Sequence, residues 1–372
     1  MKRRLKSQYN LKPLEKKEKV ICAMSGGVDS SVAAALLKET GDFEVIGVFM
    51  KFWSGSSKNS SLKTWNRCCS LEAEKRARLI ASKLGIPFYV LRLEKEFKKK
   101  IVDYFLKEYK AGRTPNPCVI CNKEIKFGLL LKKALAFNTN FIATGHYACL
   151  KEGRQGIKLI KSKDRNKDQS YFLWKLNQKQ LNHILFPVGG YTKTEVKKMA
   201  VKFKLPVFNV PESQEVCFVK TTTNDFLKQH LKTKPGKIID NKGKVMGKHE
   251  GLWFYTIGQR KGIRLPGGPF YVLNKDLKKN VLIVTKNEKD IYKKELIFKN
   301  VNWISGTPLN LPIKVKVKIR YRHKPYEGVV SRIKGARYRV WFKKPQRAVT
   351  PGQSAVFYKN TEVLGGGVIS FN

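Results

Sequence analysis

The chain has 372 residues, 42% of them apolar, which is enough for two or three domains with real cores and argues against wholesale disorder. Lys plus Arg total 76 against 28 Asp plus Glu, a net charge of +48 that points to a polyanionic partner such as nucleic acid, or else to a lysine-rich genome. No apolar stretch nears the ~20 residues of a membrane span and the opening MKRRLKSQYN has no apolar signal core, so residues 1–19 read as a basic, partly disordered extension of a cytoplasmic protein.

The first ordered elements surround AMSGGVDSSVAA, residues 23–34. Val20–Ala23 is an apolar run of strand length and Val32–Leu37 is rich in Ala and Leu, so the segment reads as strand, tight loop and helix. Gly26 and Gly27 let the backbone turn and bring its N–H groups close to a ligand. Ser25, Ser30 and Ser31 add hydroxyls, and the helix N-terminus adds partial positive charge. That makes a phosphate cradle, set against the plain alternative of a glycine turn before a helix. It lacks the lysine of the ATP/GTP loop and the three-glycine spacing of dinucleotide sites. It resembles the loop of enzymes that split ATP between its α and β phosphates and leave AMP on a substrate oxygen.

FEVIGVFMKFW follows as a second strand, LEAEKRARLIASKLG as a helix closed by Gly85, IPFYVLRL as a third strand and TNFIATGHYA as another. Alternating strands and helices predict a doubly wound parallel sheet. Ligands of such sheets sit beyond the carboxyl ends of the strands, where the 25–31 loop, Met50 and Gly145–His146 all fall. His146 suits a supporting role as well as a direct one and is not assigned to catalysis. YTKTEVKKMAVKFKLP gives a helix capped by a Thr192–Glu195 box, after which helix signals largely stop and a boundary near residue 222 follows. Beyond it, short strands with glycine and proline turns, including GLWFYTIGQRKGIRLPGGPFYVL, predict all-β modules: a central one over 223–290 and a barrel over 291–372, after an α/β domain over 20–222. In IKVKVKIRYR, Ile313, Val315, Val317, Ile319 and Tyr321 alternate with Lys314, Lys316, Lys318, Arg320 and Arg322. One face packs and the other is a ladder of cations, which serves either as a solvated edge or as a phosphate surface.

Seven cysteines in a chain with no secretory signal belong to a reducing compartment. Cys22 and Cys149 sit in apolar runs and read as core, and the adjacent Cys68 and Cys69 are weak evidence for metal. GRTPNPCVICNKEIKFG differs: two prolines stiffen the approach to Cys118 and Cys121, after which helical periodicity begins. A thiol at a helix start beside Lys123 and Lys126 gains thiolate character. Structural zinc would need a further partner, and the sequence offers only the distant Cys217 in PESQEVCFV.

From about residue 20 to the C-terminus, AMSGGVDSS, GRTPNPC, CNKEIKFG, ATGHYA, KDQSYFLW, SQEVCFV and GLWFYTIGQRKG stand in the order of the bacterial-type tRNA-specific 2-thiouridylases, which the chain resembles. The resemblance implies activation of the C2 oxygen of the wobble uridine in tRNA by ATP, then its replacement by sulfur. It places ATP at Met24, Ser25, Gly26, Gly27, Val28, Asp29, Ser30, Ser31, Met50 and Gly145, with Asp29 near Mg²⁺. It places tRNA or its target base at Asn116, Pro117, Cys118, Lys167, Asp168, Gln169, Arg320 and Tyr321. It makes Cys121 the nucleophile and Cys217 the persulfide carrier, with a transient Cys121–Cys217 disulfide and a sulfur-donor protein as partner.

One position departs from that pattern: many family members carry an acid where this chain has Cys118. Cys118, Cys121 and Cys217 could together hold a [4Fe–4S] cluster with one open iron, an alternative to the persulfide route if the three sulfurs converge. A nitrogen-transfer synthetase or cytidine thiolase would share the ATP loop without PNPC and SQEVC in this order. A non-catalytic tRNA-binding module would need neither loop nor thiols.

Overall fold

The computed structural model describes residues 17–53, 70–207, 216–219 and 221–370. Most of the basic extension, the Cys68–Cys69 pair and Ser213–Glu215 of the Cys217 motif lie outside the described residues.

The N-terminal sheet is all parallel, in the order β3-β2-β1-β4-β7, where β1 is Glu18–Ala23, β2 Phe43–Lys51, β3 Phe88–Arg92, β4 Phe141–Thr144 and β7 Ile184–Leu185. Helices cover both faces, which is why β1 reads as an unbroken apolar run rather than an alternating one. Val20 and Cys22 pack with helix α1 (Val28–Thr40) and helix α2 (Leu71–Lys83), while Ile21 and Ala23 face the other layer. That second layer is built from two long helices. α3 runs through Glu94–Phe97, Lys98–Val102 and Asp103–Lys110, and α4 through Pro117–Cys121, Asn122–Leu129 and Leu130–Ala136. The middle stretch of each widens to i→i+5 hydrogen bonding. Gly128 makes room for the wide turn in α4, because a Cβ there would lie 2.6 Å from the Lys123 carbonyl oxygen. Helix α5 (Lys193–Lys202) starts at the expected Thr192–Glu195 box, with both reciprocal hydrogen bonds formed, and packs on α1.

Between β4 and β7 the chain makes a hairpin, β5 (Ala148–Gly153) and β6 (Gly156–Lys161), that leaves this sheet altogether. β6 pairs with the last strand of the chain, so the hairpin extends the C-terminal sheet. That sheet runs β12-β15-β14-β13-β16-β17 and closes through β12–β17 into a six-stranded antiparallel barrel. Its strands are β12 Tyr292–Trp303, β13 Ile313–Lys318, β14 Tyr326–Arg332, β15 Tyr338–Arg347, β16 Ser354–Lys359 and β17 Glu362–Ile369. The central unit has four strands in the order β10-β11-β8-β9: β8 Gly236–Ile239, β9 Val245–His249, β10 Tyr271–Asp276 and β11 Val281–Thr285.

Three expectations need correction. Helix signals do not stop at 222: helix α6 (Thr223–His230) opens the central unit behind a Thr222–Asp225 capping box that carries the same information as the one at Thr192. GLWFYTIGQRKGIRLPGGPF contains no strand. Leu252–Phe254 form a single 3-10 turn, Gly258, Gly262 and Gly267 hold positive φ angles, and the rest of the segment runs as turns and loops until Tyr271. Finally, IKVKVKIRYR leaves the sheet after Lys318, although Val315, Val317 and Ile319 do face the barrel core and Lys314 and Lys316 do face solvent.

Candidate active site

The sheet order places its topological switch between β1 and β4, and the 24–31 loop and Gly145 lie there. Gly26 adopts φ +71°, and its missing Cβ would lie 2.3 Å from the Ala73 carbonyl oxygen, so helix α2 presses directly on the loop. Gly145 is needed for the same kind of reason: a Cβ there would meet the Ser30 nitrogen at 2.6 Å. Helix α1 begins at Gly27 with no side-chain cap, leaving its first amides to an anion. The serines divide the work unevenly. Ser31 is fully buried and donates to the Gly27 carbonyl at 2.8 Å, Ser30 donates to the same carbonyl at 3.1 Å, and only Ser25 is half-exposed. Two of the three hydroxyls therefore set the shape of the loop. Met24 is buried and Met50, at the end of β2, nearly so.

Asp29, the only acid in the loop, is held by two groups that the sequence reading passed over. The Tyr147 hydroxyl donates to Asp29 Oδ1 at 2.7 Å, and Lys193 Nζ lies 2.6 Å from the same oxygen. Tyr147 is itself gripped by Gln169, whose Oε1 accepts from the Tyr147 amide at 2.9 Å and whose amide donates to the Tyr147 carbonyl at 2.8 Å. The 24–31 loop and the Lys167–Gln169 motif are thus two side chains apart. Asp168 faces inward: it is buried, and its carboxylate accepts from the Ser162 amide, the Ser170 amide and the Ser170 hydroxyl. Burial still pushes that carboxyl above its usual range. His146 is buried against Phe127 and Phe186 and hydrogen-bonded to Thr144 at 2.8 Å; burial, with Lys126 nearby, holds it well below its usual value and hence neutral.

A second convergence centres on Tyr171. The Asn116 side chain lies beside it, its hydroxyl donates to the Ser354 carbonyl at 3.0 Å, and Tyr321 stacks obliquely on Tyr171 and Phe172 at 6.1 and 4.4 Å. Lys318 Nζ sits 5.3 Å from the Tyr321 ring centre, and burial lowers its pKa. Segments 116, 171–172 and 318–321 therefore meet at one aromatic centre with a cation on it. Arg320 does something else: one guanidinium nitrogen lies within hydrogen-bond reach of the Ile257 and Ala348 carbonyls and the Thr350 hydroxyl. Its place in the cation ladder is a clamp between the barrel and the central unit. The PNPC loop is fixed from the barrel as well, because Gln353 Nε2 donates to the Thr114 and Pro115 carbonyls at 2.9 and 3.1 Å.

Helix α4 starts at Pro117, about two turns earlier than the periodicity from Glu124 suggests, so both cysteines lie within its first turns. Cys118 is exposed and Cys121 buried, 7% accessible. Asn122, next to Cys121, donates to the Phe172 carbonyl at 3.2 Å and ties the thiol helix to the aromatic centre. Cys217 is half-buried, and its neighbour Phe218 packs edge-on against Phe97, Phe105 and Phe226 at 5.8, 5.2 and 5.4 Å. Among the described residues, no three His, Cys, Asp or Glu side chains gather in a way that could hold a metal ion, so the convergence that a [4Fe–4S] site requires is not formed. Mg²⁺ makes a smaller demand, since it binds through one or two carboxylates plus substrate phosphates. Asp29 beside the loop fits it.

A doubly wound sheet with a lysine-free, serine-glycine loop at its switch point defines a nucleotide-binding protein of the ATP pyrophosphatase class, here joined to two β-rich units. Family models agree along the chain: "tRNA methyl transferase HUP domain" matches residues 18–221, "tRNA methyl transferase PRC-barrel domain" 224–286 and "Aminomethyltransferase beta-barrel domain" 293–369. The tRNA-specific 2-thiouridylase MnmA 2 of Caldanaerobacter subterraneus subsp. tengcongensis is 46% identical over 364 residues, 96% of this chain and 99% of the relative. The MnmA of Clostridium perfringens is 45% identical over 95% of this chain and 98% of its own length. The chain belongs to the tRNA-specific 2-thiouridylase family. Among solved structures, the U34-tRNA thiolase NcsA of Methanococcus maripaludis with its [4Fe–4S] cluster is 18% identical, with TM-score 0.37, covering 62% of this chain and 72% of that one.

Proposed function

We propose that this chain is a tRNA-uridine 2-sulfurtransferase that adenylates the C2 oxygen of the wobble uridine and replaces it with sulfur carried on a cysteine. A carbonyl oxygen is a poor leaving group, and bonding it to AMP makes it a good one. The Met24–Ser31 loop, with Met50 and Gly145 beside it, holds ATP. Asp29 would help hold Mg²⁺, which would neutralise phosphate charge. Asn116–Cys118, Lys167, Gln169 and Tyr321 form the surface that receives the base, which reaches a pocket cheaply from a loop. Arg320 and Asp168 shape that surface from within.

The persulfide sulfur on Cys217, supplied by a donor protein, attacks C2 as AMP departs with the C2–O electron pair. Cys121 thiolate then attacks the Cys217 sulfur, the S–S bond of the persulfide breaks, and the outer sulfur stays on the base as the thiocarbonyl. A Cys121–Cys217 disulfide remains, to be reduced by an external thiol. Residues 20–222 carry this chemistry, 223–290 form the connecting unit and 291–372 bind tRNA, with 1–19 as an appendage of a cytoplasmic enzyme. Among the described residues no helix is long and apolar enough to cross a membrane.

The observation that carries this reading is the link from Asp29 through Tyr147 and Gln169 to the Tyr171 centre and the Cys121 helix, since ATP loop and thiol helix must serve one base. The purified chain should release pyrophosphate from ATP only with tRNA present, and tRNA from cells lacking it should lose 2-thiouridine at the wobble position. Unchanged nucleoside content, or pyrophosphate release indifferent to tRNA, would refute it.

A further inference from the structure

Lys193 is an expensive residue where it stands. It is 9% exposed, and lysine is rarely buried so far without a partner. Its ammonium lies 2.6 Å from Asp29 Oδ1, joining the first residue of α5 to the second residue of α1 across 164 positions of sequence. Nothing in the packing of the two helices requires that pair, because Val196, Met199 and Ala200 of α5 already sit in one apolar cluster with Val32, Ala33 and Leu36 of α1. A buried ion pair roughly breaks even against apolar replacement, so stability alone is a weak reason for it. The lysine is also aimed with care. Thr192 and Glu195 fix the helix start, and the Lys193 amide donates to Asp164 Oδ2 at 2.9 Å, so the side chain leaves a rigid backbone and ends at the mouth of the loop.

We infer that Lys193 binds the pyrophosphate leaving group. The inference rests on the adenylation reading above. In that step the uridine C2 oxygen bonds to the α-phosphorus, the bridging bond from the α-phosphorus to the β-phosphate oxygen breaks, and its electron pair leaves on pyrophosphate; the N3 proton passes to solvent. Negative charge grows on the departing side, where a fixed ammonium is worth most. Asp29 keeps that ammonium at the loop mouth, and the phosphates offer it further acceptors. AMP, which retains only the α-phosphate, has no use for it.

That asymmetry gives the test. Inhibition of tRNA-dependent turnover by inorganic pyrophosphate and by AMP is measured for the parent, Lys193→Met and Lys193→Arg. Lys193→Met should weaken pyrophosphate inhibition at least tenfold, shift AMP inhibition by less than twofold and cut the rate of pyrophosphate release by about a hundredfold; Lys193→Arg should recover part of each. Equal loss of both inhibitors, or loss of neither, would overturn the assignment and leave Lys193 as a tie between helices. Should Lys193→Met melt early, Lys193→Gln, which keeps a donor for Asp29, carries the same comparison. A parent protein that released no pyrophosphate with tRNA would instead sink the adenylation reading itself.

Discussion

The Tyr147 hydroxyl donates to Asp29 Oδ1 at 2.7 Å, across 118 residues of sequence. It steadies the one carboxylate of the loop proposed to hold ATP, and Tyr147→Phe removes the hydroxyl with little change of shape. A hydrogen bond to a charged group contributes about 1.5–3 kcal/mol. Tyr147→Phe should therefore slow pyrophosphate release by about tenfold or more while tRNA affinity, measured by filter binding, stays put; an unchanged rate would make the contact incidental.

The two loop glycines should answer differently to alanine. Gly26→Ala places a Cβ 2.3 Å from a backbone oxygen at φ +71°, so the loop must move and thermal stability should fall along with ATP binding. At Gly27 the nearest atom to a new Cβ is Ser25 Oγ at 3.5 Å, at an ordinary φ of −97°. Gly27→Ala should fold like the parent, and any loss of its ATP binding reports ligand clearance alone. Equal melting temperatures for the two variants would contradict the close approach of α2 at Gly26.

Cys121→Ser and Cys217→Ser should each adenylate tRNA and fail to deliver sulfur, since a hydroxyl neither carries nor exchanges a persulfide. Cys118, exposed on the first turn of α4, should be dispensable: Cys118→Ser is expected to keep much of the thiolation rate. Loss of activity in that variant, together with brown colour and iron in anaerobically purified parent, would restore the cluster route.

Lys314 and Lys316 are exposed on β13 and available to phosphates. Changing both to Gln should weaken tRNA binding and flatten its log–log salt dependence by about 1.5 units. Arg320→Ala belongs to a different experiment: its loss leaves the Ile257 carbonyl without this donor and takes one from the Ala348 carbonyl and the Thr350 hydroxyl, so the free energy of unfolding should drop by about 1–3 kcal/mol. A salt slope untouched by the double lysine variant would reduce the ladder to a solubility device.

Lys275 supplies a pH prediction. It is 6% exposed in β10, its ammonium has no hydrogen-bond partner among the described residues, and burial pulls its pKa down to about 8 from 10.5. Below pH 8 both folded and unfolded chains carry the proton, and the folded state bears the full cost, on the order of 3 kcal/mol. Between about pH 8 and 10.5 the unfolded chain binds more protons, so this residue's contribution to stability rises with pH. Lys275→Met should raise the melting temperature at pH 7 and lose that part of the alkaline gain. A variant less stable than the parent at pH 7 would show the ammonium to be satisfied.

Much of the site was legible because it is local. The AMSGGVDSS loop, the strand–helix alternation around it and the Thr192–Glu195 box are each written within about ten residues, the range over which backbone propensity and capping act. Thr222–Asp225 carries the same kind of local signal, a capping box written within four residues. The glycine-rich 251–270 segment misled in the other direction, since aromatic residues between turns look like strands until nothing pairs with them.

The sequence by itself determined the parallel sheet, the place of the serine-glycine loop at its switch point and the two-sided pattern of β13, because periodicity encodes which face is buried. Tertiary structure alone decided which side chains meet. Lys193 reaches Asp29, Gln353 holds the Thr114–Pro115 carbonyls, and Arg320 turns from a cation ladder to a clamp. Each joins positions separated by 28 to 239 residues. Such pairs are set by how α5 packs on α1 and how the barrel meets the central unit and the first domain, and alternation along a strand says which way a residue points but not what it will find there.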